Sequence, residues 1–369
     1  MEMACDPVIL AVPGVRGLVP YQPGKPIEEL ERELGVTGAI KLASNENPYG
    51  AGPKARAAAA AALAQMERYP DGGGFALKRA LAGRLGVSER QITLGNGSND
   101  VLELVARTFL SAGETAVCDQ YAFAAYPISV RGLGAQMIQV PARDYAHDLD
   151  ALACALCPSV RMVFLANPNN PTGTWFGRDA LEAFLAVVPK STIVVLDEAY
   201  REYVADPDHP DGCAFLARHP NLIVVRTFSK IHGLAGLRVG YAVSDAGLAE
   251  LMNRLRQPFN VNLVAQAAAV AALDDDDYVE RMRTANTAER ASLARALTEM
   301  GLAVLPSAGN FVCVEVGDAA HIYDALLRQG VIVRPLKPYG MPRHLRITVG
   351  RPEENMRLSR ALADVVRAR

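Results

Sequence analysis

The sequence predicts an α/β protein: a large domain with a mainly parallel sheet covered by helices, joined to a smaller α+β domain. Three observations lead there. Segments 161–166, 192–196 and 222–225 are apolar almost throughout, as strands covered on both faces must be. Longer stretches of helical periodicity separate them, the alternation expected of a layered α/β domain. From about Leu263 the texture changes to long helices with short strands between them. A chain of 369 residues has room for two such units. The expected division places the large domain at 41–262 and the smaller one in 1–40 together with 263–369.

In chain order, Pro13, Pro20, Pro23 and Pro26 interrupt the first forty residues, where only 27–34 has helical character, and this stretch is expected to pack on the smaller domain. The alanine-rich run 55–64 suits a surface helix. A strand at 91–94 leads through a glycine turn to a helix at 100–110, and 115–118 is the next strand. After strand 161–166 come the turn cluster 167–173 and a helix at 178–187. Strand 192–196 ends at Asp197, and strand 222–225 runs into Arg226-Thr227-Phe228-Ser229-Lys230. Beyond 263–273, a long helix at 278–300 precedes strands at 303–305 and 310–316. A helix at 319–329, strands at 331–335 and 344–349 and a terminal helix at 353–367 complete the chain. The four acids 274–277 lack calcium-loop spacing and suit a solvated helix start.

Composition excludes several functions. Half of the residues are hydrophobic, enough for a large core and too many for disorder. Lys plus Arg number 38 against 40 Asp plus Glu, so no global charge attracts nucleic acid or an anionic membrane. No apolar run is long enough to span a bilayer. The N-terminus carries Glu2 and Asp6 and only a short apolar patch at 8–12, which does not fit a signal peptide and points to the cytoplasm. The six cysteines, Cys5, Cys118, Cys154, Cys157, Cys213 and Cys313, are scattered, so reduced thiols are expected. Cys154 and Cys157 form a C-x-x-C without a second pair at zinc spacing, and no metal is expected.

In open α/β sheets, ligands bind beyond the carboxyl ends of the strands. Those ends here carry Gly97-Ser98-Asn99, Asn170 within 167–173, Asp197 followed by Tyr200, and Thr227, Ser229 and Lys230, with Arg238 eight residues further on. Pyridoxal 5′-phosphate asks for such a set. It needs an amine for covalent attachment, a carboxylate beside its pyridine nitrogen, donors to its phenolic oxygen and an anion cradle. Lys230 offers the amine and Asp197 the carboxylate, with Asn170 and Tyr200 beside the phenolic oxygen. Ser98, Asn99, Thr227, Ser229 and Arg238 can hold the phosphate, aided by a helix N-terminus. Asp197 closes an apolar strand, where an unpaired carboxylate is costly, so it requires a cation. Arg226 is the internal alternative to a pyridinium. The loop 167–173 has an alternative as a rigid turn, and the glycines of 233–240 lack a dinucleotide fingerprint.

These segments resemble the fold-type-I pyridoxal-phosphate-dependent transferases, and within them the class-II-type histidinol-phosphate aminotransferases. The resemblance is carried by Leu-Ala-Ser-Asn-Glu-Asn-Pro-Tyr-Gly at 42–50, Arg-Tyr-Pro-Asp at 68–71, Gly-Asn-Gly-Ser-Asn-Asp at 95–100 and Tyr-Ala-Phe-Ala-Ala-Tyr at 121–126. It continues through 167–173, 197–200, 227–241, 257–262, 310–311, 330–334 and 345–350. It implies that Phe123 stacks on the cofactor ring and that Tyr69 reaches the phosphate in a partner subunit of a homodimer. It implies that Tyr21, Asn47 and Arg334 bind substrate and that Arg346 holds its anionic group. Many relatives have Asp-Glu where this chain has Asn99-Asp100, a change that a backbone-amide cradle survives, and often Pro at Tyr121, with no evident consequence. The implied reaction converts histidinol phosphate and 2-oxoglutarate to imidazole acetol phosphate and glutamate in histidine biosynthesis, with Lys230, Asp197 and Tyr200 as the catalytic residues. An aromatic amino-acid aminotransferase is the alternative on this scaffold, then a phosphothreonine-type decarboxylase. A cofactor-binding transcription regulator would require an attached DNA-binding segment, and no basic recognition helix is present.

Overall fold

Leucine-rich and β-branched runs become strands because residues buried on both sheet faces need no polar alternation. The computed structural model describes residues 7–367, so Glu2, Cys5 and Asp6 lie outside it. In chain order the first strands are β1 (Ile40–Lys41), β2 (Ile92–Gly95), β3 (Thr115–Asp119), β4 (Gln136–Val140) and β5 (Val160–Ala166). Next come β6 (Ile193–Asp197), β7 (Leu222–Thr227) and β8 (Gly240–Ser244). The last are β9 (Ala303–Val304), β10 (Phe311–Glu315), β11 (Val331–Ile332), β12 (Arg334–Pro335) and β13 (His344–Thr348).

Seven strands form one sheet in the order β2-β8-β7-β6-β5-β3-β4. Only β8 runs against its neighbours, antiparallel to both β2 and β7; the remaining pairs are parallel. Alternate side chains serve opposite faces. Val163, Leu165, Val194, Leu196 and Val224 join one core, and Met162, Phe164, Val195, Ile223 and Val225 the other. Each fully buried aliphatic contributes about 1.5–3 kcal/mol. β4 and β8 lack a continuous apolar signature. β4 is an edge strand with mostly exposed side chains, and β8 begins on Gly240, inside a glycine-rich stretch.

A second sheet, β12-β13-β10-β9, is antiparallel throughout, and β1 pairs in parallel with β11. The predicted strand 331–335 is therefore two strands: β11 joins β1, then after Val333 the chain joins β13. Leu345, Ile347, Val312 and Val314 form a core with Leu358 and Leu362 of the terminal helix Pro352–Arg367.

Four other expectations change. Helix Ser98–Phe109 begins two residues before position 100, because Gly97 takes the turn at φ 91° and puts Ser98 and Asn99 in the first turn. The alanine run lies in helix Pro53–Ala62, whose Ala55 and Ala62 are buried; it packs on helix Leu263–Leu273 through small side chains and is not merely a surface helix. In the acid run, Asp276 pairs with Arg84 at the start of helix Asp276–Glu299, but Asp275 is buried rather than solvated. The N-terminal stretch divides its contacts. Leu30, on helix Ile27–Leu34, packs with Leu327 and Ile332, whereas the turn Pro13–Arg16 lies against helix Ala125–Gly132 beside the large sheet. The five described cysteines are free, Cys154 and Cys157 being exposed, and no described helix is long and apolar enough to cross a membrane.

Candidate active site

The carboxyl ends of β5, β6 and β7 open into a cavity of about 370 Å³. Asp197, the last residue of β6, sits on its floor and is 6% exposed. Its Oδ2 accepts a hydrogen bond from the Tyr126 hydroxyl at 2.8 Å, and its Oδ1 one from the Ala199 amide at 3.1 Å. Burial pushes this carboxyl up to about 6, although the Tyr126 bond opposes the shift. The internal alternative is settled by geometry. Arg226 points to Glu198, with Nε–Oε2 at 2.8 Å, and to Asp211 at 2.6 Å, not to Asp197.

Lys230 also lines the cavity, and its Nζ donates to the Ser44 carbonyl at 3.3 Å. Burial, with Arg346 nearby, lowers its ammonium to about 8, so a sizeable neutral fraction exists near neutrality. A buried acid with no paired cation and a primary amine of lowered basicity thus share one space.

At one end of the cavity, Ser98 and Asn99 open a helix of 12 residues, whose free amides and dipole favour an anion. Thr227 Oγ1 and Ser229 Oγ lie 3.0 Å apart beside it. Arg238 completes the group, its guanidinium against Gly97, where a β-carbon would strike NH2. A β-carbon on Gly240 would come within 2.5 Å of the Ser98 amide nitrogen. Two glycines therefore keep a cradle of hydroxyls, amides and one guanidinium clear.

At the other end, Arg346 of β13 donates to Asn170 Oδ1 at 2.5 Å and to the Ala43 carbonyl at 2.6 Å, and its buried Nε has no partner. Tyr200 places its ring 5.5 Å from Lys230 Nζ. Phe123 presents a flat apolar wall, with the Tyr21 ring edge-on at 6.4 Å. Of the residues expected from sequence, twelve share this cavity: Tyr21, Ser98, Asn99, Phe123, Asn170, Asp197, Tyr200, Thr227, Ser229, Lys230, Arg238 and Arg346.

Three do not line it. Asn47 lies outside the cavity lining, and its Nδ2 donates to the Ile231 carbonyl and the Tyr278 hydroxyl while its Oδ1 accepts from the Tyr49 amide. Arg334 lies behind Tyr21, its guanidinium 5.3 Å from that ring and its Nε without a partner. Tyr69 is 82% exposed and stacks on Phe259, outside its own chain's cavity. Tyr126 and Asn45 are site residues that sequence reasoning missed. Tyr126, in the first turn of helix Ala125–Gly132, meets the Phe123 ring edge-on at 5.8 Å. Asn45 carries no periodic signal.

The donor set fits the cofactor expected from sequence, since an unpaired buried acid, an amine and an anion cradle stand around one space. Comparison with known families decides the kinship: the family described as aminotransferase class I and II matches residues 37–362. The chain belongs to the class I and II aminotransferases. This aminotransferase is 56% identical to histidinol-phosphate aminotransferase 2 of Pseudomonas aeruginosa over 364 residues, 98% of this chain and 99% of the relative. It is 55% identical to histidinol-phosphate aminotransferase 1 of Nitrosococcus oceani, with 97% of each chain covered. Among solved structures, the histidinol-phosphate aminotransferase of Sinorhizobium meliloti in complex with pyridoxal 5′-phosphate matches at a TM-score of 0.89 and 34% identity, covering 96% of this aminotransferase and 97% of that chain.

Proposed function

We propose that this aminotransferase uses pyridoxal 5′-phosphate to move the amino group of histidinol phosphate to 2-oxoglutarate, yielding imidazole acetol phosphate and glutamate in histidine biosynthesis. The observation that carries the cofactor assignment is Asp197, buried and unpaired in the cavity that also holds the Lys230 amine. The substrate assignment rests on the 55–56% identical relatives and on Arg346, whose guanidinium suits a carboxylate or a phosphate equally.

The chemistry that pyridoxal phosphate supplies when bound is an electron-withdrawing ring for the electron pair left at the donor carbon. The chain's own residues do the rest. Lys230 Nζ would hold the cofactor covalently, and its amine would serve as the general base that accepts the proton from the donor α-carbon. Asp197 would hold the proton on the ring nitrogen. Phe123 would cover the ring face, and Tyr200 and Asn170 would donate to the phenolic oxygen. Arg346 has already fixed the Asn170 amide by taking its Oδ1, which leaves the nitrogen as the donor toward the cavity. Ser98, Asn99, Thr227, Ser229 and Arg238 hold the phosphate.

Arg346 pairs with the acceptor's carboxylate or the donor's phosphate, and Tyr21 and Arg334 add contacts to the latter. The working unit is a cytoplasmic homodimer in which Tyr69 of the partner subunit reaches the cofactor phosphate; the exposed Tyr69–Phe259 stack supports this reading. Two lobes divide the work, 41–262 for the cofactor and 1–40 with 263–369 for closing over the substrate. Steady-state assays with 2-oxoglutarate as acceptor test the donor. A higher kcat/KM for histidinol phosphate than for phenylalanine is expected, and the reverse order would establish an aromatic aminotransferase.

A further inference from the structure

Asn45 is 1% exposed and holds a left-handed backbone at φ 55°, a conformation that asparagine tolerates better than most residues. Its surroundings fix the orientation of its amide. The Thr348 hydroxyl accepts from the Asn45 backbone N–H at 2.9 Å and donates to Asn45 Oδ1 at 3.2 Å. The carbonyl end therefore faces Thr348, and the nitrogen faces the Tyr200 hydroxyl at 2.9 Å. The Asn45 carbonyl accepts from Asn310 at 3.0 Å, which anchors the segment further.

Tyr200 Oη is thus an acceptor on the Asn45 side, and its own hydrogen has no protein acceptor among the described residues. The ring is clamped edge-on by Phe311, 5.2 Å away. The charged groups around this hydroxyl are Lys230, Arg346 and Asp197. None of the three accepts its proton. We propose that Asn45 is a positioning residue: by occupying the back of the Tyr200 hydroxyl it directs that proton into the cavity. This rests on the reading of Tyr200 as a donor to the cofactor's phenolic oxygen. The device ties the two lobes together, because Thr348 lies on β13 two residues from Arg346, on the same face of the strand.

The test is a pH titration of the bound cofactor's visible absorbance in the holoenzyme. Four proteins are compared: wild type, Asn45→Gly, Tyr200→Phe and the double variant. Glycine suits the positive φ, so Asn45→Gly removes the amide without straining the backbone. Removing a donor from an oxygen raises its proton affinity, so Tyr200→Phe moves the midpoint upward. Asn45→Gly moves it in the same direction by about half a unit to one unit, the equivalent of one ordinary hydrogen bond. The double variant matches Tyr200→Phe alone. A midpoint unchanged in Asn45→Gly, or an equal additional shift in the Tyr200→Phe background, overturns the proposal. If Tyr200→Phe itself moves nothing, the reading of Tyr200 fails and the proposal falls with it. Thr348→Val, which frees the Asn45 amide while keeping the strand's shape, gives the same shift and carries the test should Asn45→Gly not fold.

Discussion

Arg226 bonds Glu198 and not Asp197, its neighbour in the chain. Register explains the choice. β6 and β7 pair Asp197 with Val225, so the next residues, Glu198 and Arg226, fall on one face while Asp197 turns to the other. Adjacent acids thus receive separate fates: one in a buried ion pair behind the sheet, the other left without a cation in the cavity.

That separation makes the ion pair a stability element. Removing one partner of a buried pair leaves an uncompensated charge, which costs about 3–5 kcal/mol. Arg226→Met should lower the urea midpoint of the apoenzyme accordingly. The double change to Met at 226 and Gln at 198 should recover part of the loss.

Asp197 should have the opposite effect on the apoenzyme. Its carboxyl is raised to about 6 from an ordinary 3.8, so between those values the folded chain binds more protons than the unfolded one. Stability contributed by the protonated form is present below about pH 4 and is lost as pH rises through 6. Asp197→Asn should remove this dependence and stabilise the apoenzyme at pH 7.5 by about 2–3 kcal/mol, while turnover falls at least about a hundredfold. Thermal melts of both apoenzymes across pH 4–8 would show it; parallel curves would contradict a buried unpaired acid.

Lys230 carries a depressed pKa, and the sign is reversed. Between about 8 and 10.5 the unfolded chain binds the extra proton, so stability rises with pH across that window. Attachment of the cofactor needs the neutral amine. Its rate, followed by visible absorbance after mixing with apoenzyme, should therefore increase with pH and level off above about 8. Lys230→Ala should lose both that absorbance and turnover.

Gly97 sits where a side chain would displace Arg238. With φ at 91° as well, Gly97→Ala should weaken cofactor retention by at least about tenfold in equilibrium dialysis. A retained affinity would remove Arg238 from the cradle.

Much of this architecture was legible in advance because continuous apolar strands announce a buried parallel sheet, and its carboxyl ends mark where chemistry collects. Asp197, Lys230, Asn170 and Ser98 follow from that rule. What escaped did so for physical reasons. β8 has glycine at its head because its backbone presses on Ser98, and glycine reads locally as loop. Tyr126 is known only once Asp197 meets it across 71 positions of sequence. Asn45 and Thr348 stand 303 apart, and no local pattern encodes a contact of that kind. Asn47 lies in the same short motif as Asn45, yet the turn sends its amide to Tyr278 and not into the cavity.

The closeness of Gly240 to the Ser98 amide ties the anion cradle to the far end of the large sheet's chain order. Gly240 pairs with Gly95 on β2 and with Thr227 on β7, inserting a late segment between an early one and the middle of the chain. A chain ending before β8 would keep the helix start at Ser98 but lose the strand that lies against its amide. The anion cradle at Ser98 is therefore shaped by a strand supplied from far along the chain, not by its local sequence alone.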